Sequence, residues 1–194
     1  LNDLIEKASV IEKGEYTTAS YYYLHTALKN AQAAVDKDIT VRECEVLENA
    51  LQGAIDGLKV NGEYSKVTGL TATAPSEENA GTDGPASWAV DGNRNTIWHT
   101  AYSAGKVQPV ISEDGENNYI TIDMGELKNV YKLEYLPRQA GQNNGIIRKY
   151  VISYSTTADG DDFVEIASGR WAEDTTLKSA EFAPVNARRI RLTA

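Results

Sequence analysis

Apolar and polar side chains alternate in the run Ile120-Thr121-Ile122-Asp123-Met124, and this run decides the fold class of the longer part of the chain. Successive side chains of a strand point to opposite faces, so a period of two predicts a strand with one buried face. The same period returns in residues 131–135, 150–154 and 189–193. Loops rich in Gly, Asn and Asp separate these runs. We therefore predict antiparallel strands that pack as an all-β sandwich.

The first 60 residues follow a helical period instead. Leu4, Ala8 and Ile11 recur at helical spacing, and a second helical pattern runs to about residue 37. The third begins with Thr40-Val41-Arg42-Glu43, which has the form of a capping box, and an apolar stripe follows it to residue 58. Three amphipathic helices with short loops bury their stripes against one another, so we predict an all-α three-helix bundle.

The residues that form turns divide the chain into two parts. All five prolines lie beyond residue 74, and only three of the 15 glycines lie within the first 60 residues. We therefore predict a helical domain at residues 1–60, a linker at 61–65 and the sandwich at 66–194. The chain opens directly as a helix, without the basic and apolar stretches of a signal peptide, so we take it as a piece of a longer chain.

Composition and charge exclude several classes of function. The net charge of −9 and a pI of about 4.8 disfavour nucleic acid and anionic lipid as partners, because both need a basic surface. No apolar run approaches the roughly 20 residues that a membrane helix requires, so we expect no membrane insertion. The single cysteine, Cys44, excludes the disulfide-rich classes.

No enzymatic motif emerges from the sequence. It lacks a phosphate-binding loop, a Gly-x-Ser-x-Gly elbow and a His-Glu-x-x-His helix. Asp159, Asp161 and Asp162 lie together in a polar turn, where no apolar pocket is implied that would raise the pKa of one of them for acid catalysis. We therefore predict that this chain is not itself an enzyme.

One stretch resembles the signature of the coagulation factor 5/8 type C (discoidin-like) fold, in its bacterial form as a family 32 carbohydrate-binding module: Ala86-Ser87-Trp88-Ala89-Val90-Asp91-Gly92-Asn93-Arg94-Asn95-Thr96-Ile97-Trp98-His99-Thr100. Further matches follow in the family's order, among them Tyr135-Leu136-Pro137-Arg138-Gln139, Asn144-Gly145 and Gly169-Arg170-Trp171-Ala172. The resemblance spans about residues 66–194 and implies a galactose-binding-domain-like jelly-roll sandwich. Residues 1–60 resemble a FIVAR module, a small helical unit often found beside such modules in large bacterial glycosidases.

The resemblance implies a sugar site made by His99, Arg138 and Asn144. A neutral imidazole donates from one nitrogen and accepts at the other, which suits a sugar hydroxyl. The guanidinium fork can hold two adjacent hydroxyl oxygens, although a surface salt bridge would also account for an arginine. The family places its asparagine just before the glycine of this loop, so Asn144 is preferred over Asn143, while an Asn-Gly pair by itself indicates a turn. Further candidates for the sugar site are Tyr102 and Glu78.

A second implied site is a structural calcium. Asp91, Asn93 and Thr96 lie in a glycine-containing loop rich in oxygen atoms, a composition typical of a hard cation, although an Asp-Gly turn has it too. The resemblance implies ligation by the Asp91 carboxylate, by the hydroxyl and carbonyl of Thr96, and by the carbonyls of Trp88 and Asn93. The ion would stiffen the loop that presents His99.

The sequence departs from the family pattern at its end. Related modules continue to an aromatic residue that stacks on the sugar and to an Ala-Glu pair that completes the calcium shell, whereas this sequence stops at Ala194. From the apparently truncated C-terminal end we expect weak binding of sugar and of calcium. Trp171 could replace the stacking aromatic, but we interpret it as core packing.

These inferences lead to one function and its alternatives. We predict a non-catalytic carbohydrate-binding part of a secreted or cell-surface bacterial glycoside hydrolase, which recognises terminal galactose or N-acetylgalactosamine of host glycans. The helical half would serve as a spacer or bind a protein partner. The alternatives are a module that binds N-acetylglucosamine and a protein-interaction or spacer unit with a degenerate sugar site.

Overall fold

The computed structural model describes residues 1–60, 65–109, 118–139 and 144–194. Three helices are followed by an antiparallel β-sandwich, as the sequence predicted. The residues cluster into two compact units. The first contains Leu1–Lys66 together with Leu127–Tyr131 and Phe182–Ala187; the second contains the remainder. In the described part of the chain, none of the helices combines the length and apolar character that a membrane span needs.

The helices of the first unit are α1 (Asn2–Ser9), α2 (Thr18–Val35) and α3 (Val41–Asp56). The capping box at the start of α3 is confirmed, because the Thr40 side chain accepts from the Glu43 amide and the Glu43 carboxylate accepts from the Thr40 amide. The predicted stripes meet in a small apolar core, whose buried members are Ala8, Leu24, Ala31, Leu51 and Ala54.

Strand residues complete this first unit. A Cβ atom on Gly53 of α3 would lie 2.8 Å from the carbonyl oxygen of Pro184 and 2.8 Å from the Cα of Val185. The helix therefore approaches this backbone closely only because residue 53 carries no side chain. The side-chain amide of Asn129 donates to the Gly53 carbonyl at 2.9 Å. The periodicity of residues 1–60 contains no signal for this packing, since the partners come from far along the chain.

The strands of the sandwich are β1 (Thr71–Thr73), β2 (Asp83–Gly84), β3 (Ile97–Trp98), β4 (Tyr119–Tyr135), β5 (Lys149–Ser155), β6 (Val164–Arg170) and β7 (Lys178–Thr193). Five of them form one sheet in the order β1-β4-β7-β5-β6. The two short strands β2 and β3 pair in parallel, with Asp83 opposite Ile97 and Gly84 opposite Trp98. A short 3₁₀ helix, Ala86–Val90, lies between them in sequence. The pairing of β2 with β3 places two distant loop segments side by side, and the candidate site is built there.

The predicted alternation produces most of the sandwich core. Ile152 and Tyr154 of β5 and Ile190 and Leu192 of β7 are all buried. Arg189 is an exception, because the alternation predicts an exposed side chain and the structure leaves it only 7% exposed. Its burial is tolerated because its guanidinium is fully engaged with the turn after β5.

Hydrogen bonds from Arg189 hold the turn at residues 155–162. The guanidinium donates to the carbonyl oxygens of Thr157 and Asp159 at 2.8 and 2.6 Å and reaches the Asp162 carboxylate at 3.3 Å. The neighbouring Asp161 carboxylate accepts from Arg191 at 2.6 Å. Both carboxylates are therefore paired with arginine side chains, and these ion pairs help to hold the turn in place.

Candidate functional site

His99 follows β3 and is tethered through its backbone on both sides. Its amide donates to the Gly84 carbonyl at 3.2 Å, and its carbonyl accepts from the Glu78 amide at 2.7 Å. The preceding Trp98 directs its indole N–H to the carbonyl of Ser76 at 3.1 Å. Adjacent residues of a strand point to opposite faces, so anchoring Trp98 on one side leaves His99 facing the other.

The hydrogen bond of the His99 ring determines its chemistry. Nδ1 lies 2.6 Å from the carbonyl oxygen of Thr100, and because a carbonyl can only accept, Nδ1 must carry the proton of this bond. In the neutral imidazole the other nitrogen, Nε2, is then an acceptor. His99 therefore offers one acceptor atom to a hydroxyl group.

The loop with Asn144 and Gly145 lies next to that nitrogen. A Cβ atom built on Gly145 would stand 4.0 Å from Nε2 of His99. Gly145 has a φ of +81°, a conformation that favours glycine, and Asn144 before it is exposed. The structure thus brings two of the predicted segments together. The other predicted asparagine, Asn143, lies outside the described residues.

Tyr102 adds an aromatic wall to the site. Its ring is 54% exposed and stands at 89° to the imidazole of His99, with 5.2 Å between the ring centroids. The phenol donates to Oδ2 of Asp83 at 3.0 Å. This hydrogen bond, with partial burial and the charges of Asp83 and Glu78, raises the pKa of Tyr102, while the Arg138 guanidinium opposes the rise. Arg138 is half-buried and close enough to act electrostatically on this phenol.

Glu78 supports the loop from beneath. It is only 1% exposed, so its carboxylate cannot form part of a ligand surface. One oxygen accepts from the amides of Tyr102 and Ser103 at 2.9 Å each, and the other accepts from Lys106 Nζ at 2.5 Å. The Lys106 contact and these backbone N–H groups hold the pKa of Glu78 far below its ordinary value. The sequence-based prediction of a sugar contact for Glu78 is therefore wrong, because its lone pairs are used to hold Tyr102 in place.

Asp83 was missed by the sequence analysis. It lies in a two-residue strand, and its contact with Tyr102 depends on the pairing of β2 with β3. Neither its neighbours in sequence nor any spacing marks it. The only signal in the sequence is that Asp83 lies in a polar loop segment, and many aspartates that have no role in a site share this property.

Residues of the predicted calcium loop form hydrogen bonds with one another. The Thr96 hydroxyl lies 2.7 Å from Oδ2 of Asp91 and 2.9 Å from the carbonyl oxygen of Asn93, while Oδ1 of Asp91 accepts from the Asn93 amide. Trp88, whose carbonyl the sequence analysis assigned to the same site, lies in the preceding 3₁₀ helix. This donor set contains oxygen only and fits a hard cation. Asp91 supplies the one carboxylate of this set. The described residues contain no group of three or more His, Cys, Asp or Glu side chains placed to hold a metal ion.

Trp171 packs against other rings. It stacks on Tyr150 with 4.0 Å between centroids, lies 5.6 Å from Tyr135, and donates from its indole nitrogen to the Ser179 carbonyl at 2.9 Å. These contacts are those of a packing residue, in agreement with the interpretation made from the sequence.

The antiparallel sandwich and its loop-borne polar site define the class of this protein. The chain belongs to the F5/8 type C domain family, whose pattern matches residues 71–194. It is 36% identical to the module CpGH89CBM32-5 from Clostridium perfringens, solved with GalNAc-β-1,3-galactose, with a TM-score of 0.55 over 64% of this chain and 83% of that one. The family 32 module of C. perfringens NanJ, solved with galactose, is also 36% identical, with a TM-score of 0.51 over 64% of this chain and 81% of that one.

A longer match is to the A type blood N-acetyl-α-D-galactosamine deacetylase of Flavonifractor plautii. The two sequences are 33% identical over 161 residues, which is 80% of this chain and 20% of the deacetylase. The chain therefore spans about a fifth of that relative. The family match begins at residue 71 and does not cover the helices, so the resemblance of residues 1–60 to a FIVAR module stays a prediction.

Proposed function

We propose that this chain is a non-catalytic carbohydrate-binding module that recognises terminal galactose or N-acetylgalactosamine. One observation carries the proposal. Nε2 of His99 lies beside Gly145, and the imidazole ring of His99 stands at right angles to the exposed ring of Tyr102. A polar acceptor next to an exposed aromatic ring suits a sugar, which has hydroxyl groups on its edge and an apolar face of C–H groups. The relatives solved with galactose and with GalNAc-β-1,3-galactose support this class of ligand.

Each side chain has a role in the proposal. His99 accepts from the axial hydroxyl, Arg138 donates to the same hydroxyl, and Asn144 binds its neighbour through an amide that both donates and accepts. Tyr102 contacts the apolar face of the sugar. The equatorial hydroxyl of glucose would point away from the His99 and Arg138 pair, so glucose is expected to bind more weakly than galactose.

Affinity for a single sugar is expected to be low. A few hydrogen bonds with a net contribution of about 1 kcal/mol each correspond to dissociation constants between micromolar and millimolar. Attachment to a larger extracellular bacterial enzyme, such as a glycoside hydrolase, would raise the effective concentration of that enzyme at a glycan surface. We propose that arrangement for the protein from which this chain comes.

Calorimetric titration tests the proposal. The chain is titrated with galactose, N-acetylgalactosamine, N-acetylglucosamine and glucose under identical conditions. Binding of the two galacto-configured sugars, with glucose weaker, is the expected result. Preference for N-acetylglucosamine would replace the galactose assignment, and no heat from any sugar would overturn the proposed function. An aryl galactoside assayed with the same sample should show no hydrolysis.

We further propose that the loop with Asp91, Asn93 and Thr96 holds a structural calcium ion, with a contribution from the Trp88 carbonyl. The support is the close approach of the Asp91, Asn93 and Thr96 oxygens to one another. The ion would neutralise the carboxylate and stiffen the loop before His99. It has no catalytic role in this proposal.

Thermal unfolding with calcium and with a chelator tests the ion. With one carboxylate, a Kd of about 10⁻⁴ to 10⁻³ M is expected. At 10 mM calcium this corresponds to a stabilisation of about 1–3 kcal/mol. The variant Asp91→Ala should lose the response to calcium, whereas Asp38→Ala, at an exposed position in the helical part, should keep it. A wild-type chain that unfolds at one temperature in calcium and in chelator would contradict the proposal.

The alternative of a protein-interaction unit has one observation in its favour. Tyr22 of α2 is 66% exposed, and its ring meets that of Tyr23 edge to face. Exposed tyrosines are common in protein interfaces. Failure of all four sugars to bind, together with capture of a partner that a Tyr22→Ala variant no longer captures, would favour this alternative.

A further inference from the structure

Tyr102 is held at both ends although its ring is exposed. At the backbone, its amide donates to Oε2 of Glu78 at 2.9 Å. At the tip of the side chain, its phenol donates to Oδ2 of Asp83 at 3.0 Å. Between these points the ring meets His99 edge to face. An exposed tyrosine in water ordinarily samples several rotamers. Here Glu78 fixes the backbone of Tyr102, and the contact of the phenol with Asp83 selects one orientation of the ring.

The second of these contacts comes from an unusual carboxylate. The peptide group of Asp83 is satisfied by Ala80, whose carbonyl accepts from it at 3.1 Å and whose amide donates to it at 3.0 Å. The backbone therefore needs nothing from the side chain. Oδ1 of Asp83 is buried and has no hydrogen-bond partner among the described residues.

A buried acceptor without a partner destabilises a fold, so its presence requires an explanation. For Asp83 the explanation is not the stability of its strand, which the backbone contacts already provide. The remaining role of the Asp83 side chain is to orient Tyr102 through the hydrogen bond with its phenol. Oδ1 is not accessible to a ligand, and Oδ2 already accepts from the Tyr102 phenol.

We propose that Asp83 is a positioning residue of the sugar site, which acts on the ligand only through the Tyr102 ring. The inference rests on the proposed function and deepens it, because it explains how the aromatic wall of the site is oriented: Oδ2 of Asp83 accepts from the Tyr102 phenol, while Oδ1 of the same carboxylate is buried. Because the Tyr102 ring is held in one rotamer before the sugar binds, binding does not have to offset the loss of side-chain conformational entropy. Loss of this restraint should weaken binding about 2- to 10-fold, the range expected for ordering one side chain.

Two single variants and their combination isolate the effect in the full 194-residue chain. Tyr102→Phe keeps the ring and removes the donor. Asp83→Ala keeps the ring and removes the acceptor. If the pair acts as one unit, each variant weakens binding of N-acetylgalactosamine by a similar factor, and the double variant is no weaker than either single one. Asp83→Asn retains an acceptor for the phenol and should restore most of the affinity.

A spectroscopic measurement reports the ring orientation without any sugar. The chain has two histidines, His99 and His25. The perpendicular Tyr102 ring shifts the imidazole proton resonances of His99, and a freed ring should average that shift. In Tyr102→Phe and Asp83→Ala the His99 resonances should therefore move while those of His25 stay in place. Tyr22→Phe, at an exposed tyrosine of α2, is the matched control and should change neither histidine nor the affinity.

The outcomes separate this inference from the proposed function. A wild-type chain that binds none of the sugars overturns the function. A wild-type chain that binds, with Tyr102→Phe and Asp83→Ala binding equally well or with additive losses, overturns the role of Asp83 alone. Because Tyr102→Phe changes only an exposed hydroxyl, it remains informative even if Asp83→Ala fails to fold.

Discussion

Nε2 of His99 lies 4.0 Å from the point where a Cβ atom of Gly145 would stand. The two residues are far apart in sequence, and their approach joins the end of β3 to the loop that carries Asn144. The space between them is available because residue 145 has no side chain. Any side chain there would occupy the space in front of the imidazole.

Gly145→Val is expected to abolish sugar binding. The valine would fill the space beside His99, and its backbone would be strained at a φ of +81°. Gly160→Val is the matched control, because Gly160 has the same φ of +81° but nothing within 4 Å of its Cβ position. Both variants should lose similar stability in urea unfolding, whereas only Gly145→Val should lose the heat of galactose titration. Retained binding in Gly145→Val would contradict the placement of the sugar beside His99.

His99→Ala should weaken galactose binding about 2- to 10-fold, the loss expected from one hydrogen bond of about 0.5–1.5 kcal/mol. The free energy of unfolding should change little, because His99 is partly exposed and its backbone contacts remain. The control is His25→Ala, at an exposed position of α2. Isothermal titration of the three chains measures the effect. Equal affinities for all three would remove His99 from the site.

Glu78 should make stability depend on pH in the acid range. Its pKa is lowered from the ordinary value of 4.5, first by the Lys106 ammonium and then by backbone N–H groups. A carboxyl group with a lowered folded pKa stabilises the fold above its unfolded pKa, and this contribution is lost as the pH falls from about 4.5 through the folded value. Thermal unfolding between pH 7 and pH 2 should show this decline.

The variant Glu78→Gln tests the cause of that decline. It should be less stable than the wild type at pH 7, because Lys106 loses its partner, and the difference should shrink in acid. Glu45→Gln, at an exposed position of α3, should follow the wild-type curve. A constant difference between Glu78→Gln and the wild type at every pH would show that the charge of Glu78 is not responsible.

Arg189→Met should destabilise the sandwich by about 2–4 kcal/mol, because it removes several buried donors and leaves the carbonyls of the 155–162 turn and the Asp162 carboxylate without them. The free energy of unfolding in urea measures the effect. Arg170→Met, at an exposed position of β6, is the control and should stay within about 0.5 kcal/mol of the wild type. A loss for Arg189→Met no larger than that of the control would show that the turn is held by other contacts.

Local signals account for what was predicted correctly. The capping box of Thr40 and Glu43 needs only residues three apart, and the burial of Ile152 and Tyr154 follows from alternation within one strand. The resemblance pointed to His99 and Asn144 through the motifs that contain them, and the structure brings these two segments close together, while their contact with a sugar stays a prediction. Arg189 was misplaced because alternation assigns a charged side chain to the exposed face, whereas its burial depends on carbonyl oxygens of a turn that belongs to another part of the chain.

The sequence by itself determined the order of helical and extended segments, the class of fold and the chemistry available to the site, because hydrophobic periodicity and residue type are properties of neighbours along the chain. The tertiary structure alone decided how the acidic residues around Tyr102 are used. Glu78, which was predicted to contact the sugar, is buried and supports the loop. Asp83, which no sequence signal marked, accepts a hydrogen bond from Tyr102. The physical reason is that both roles depend on contacts between segments that are separated along the chain. Glu78 contacts the loop that carries Tyr102, and Asp83 reaches Tyr102 from a strand that pairs with β3.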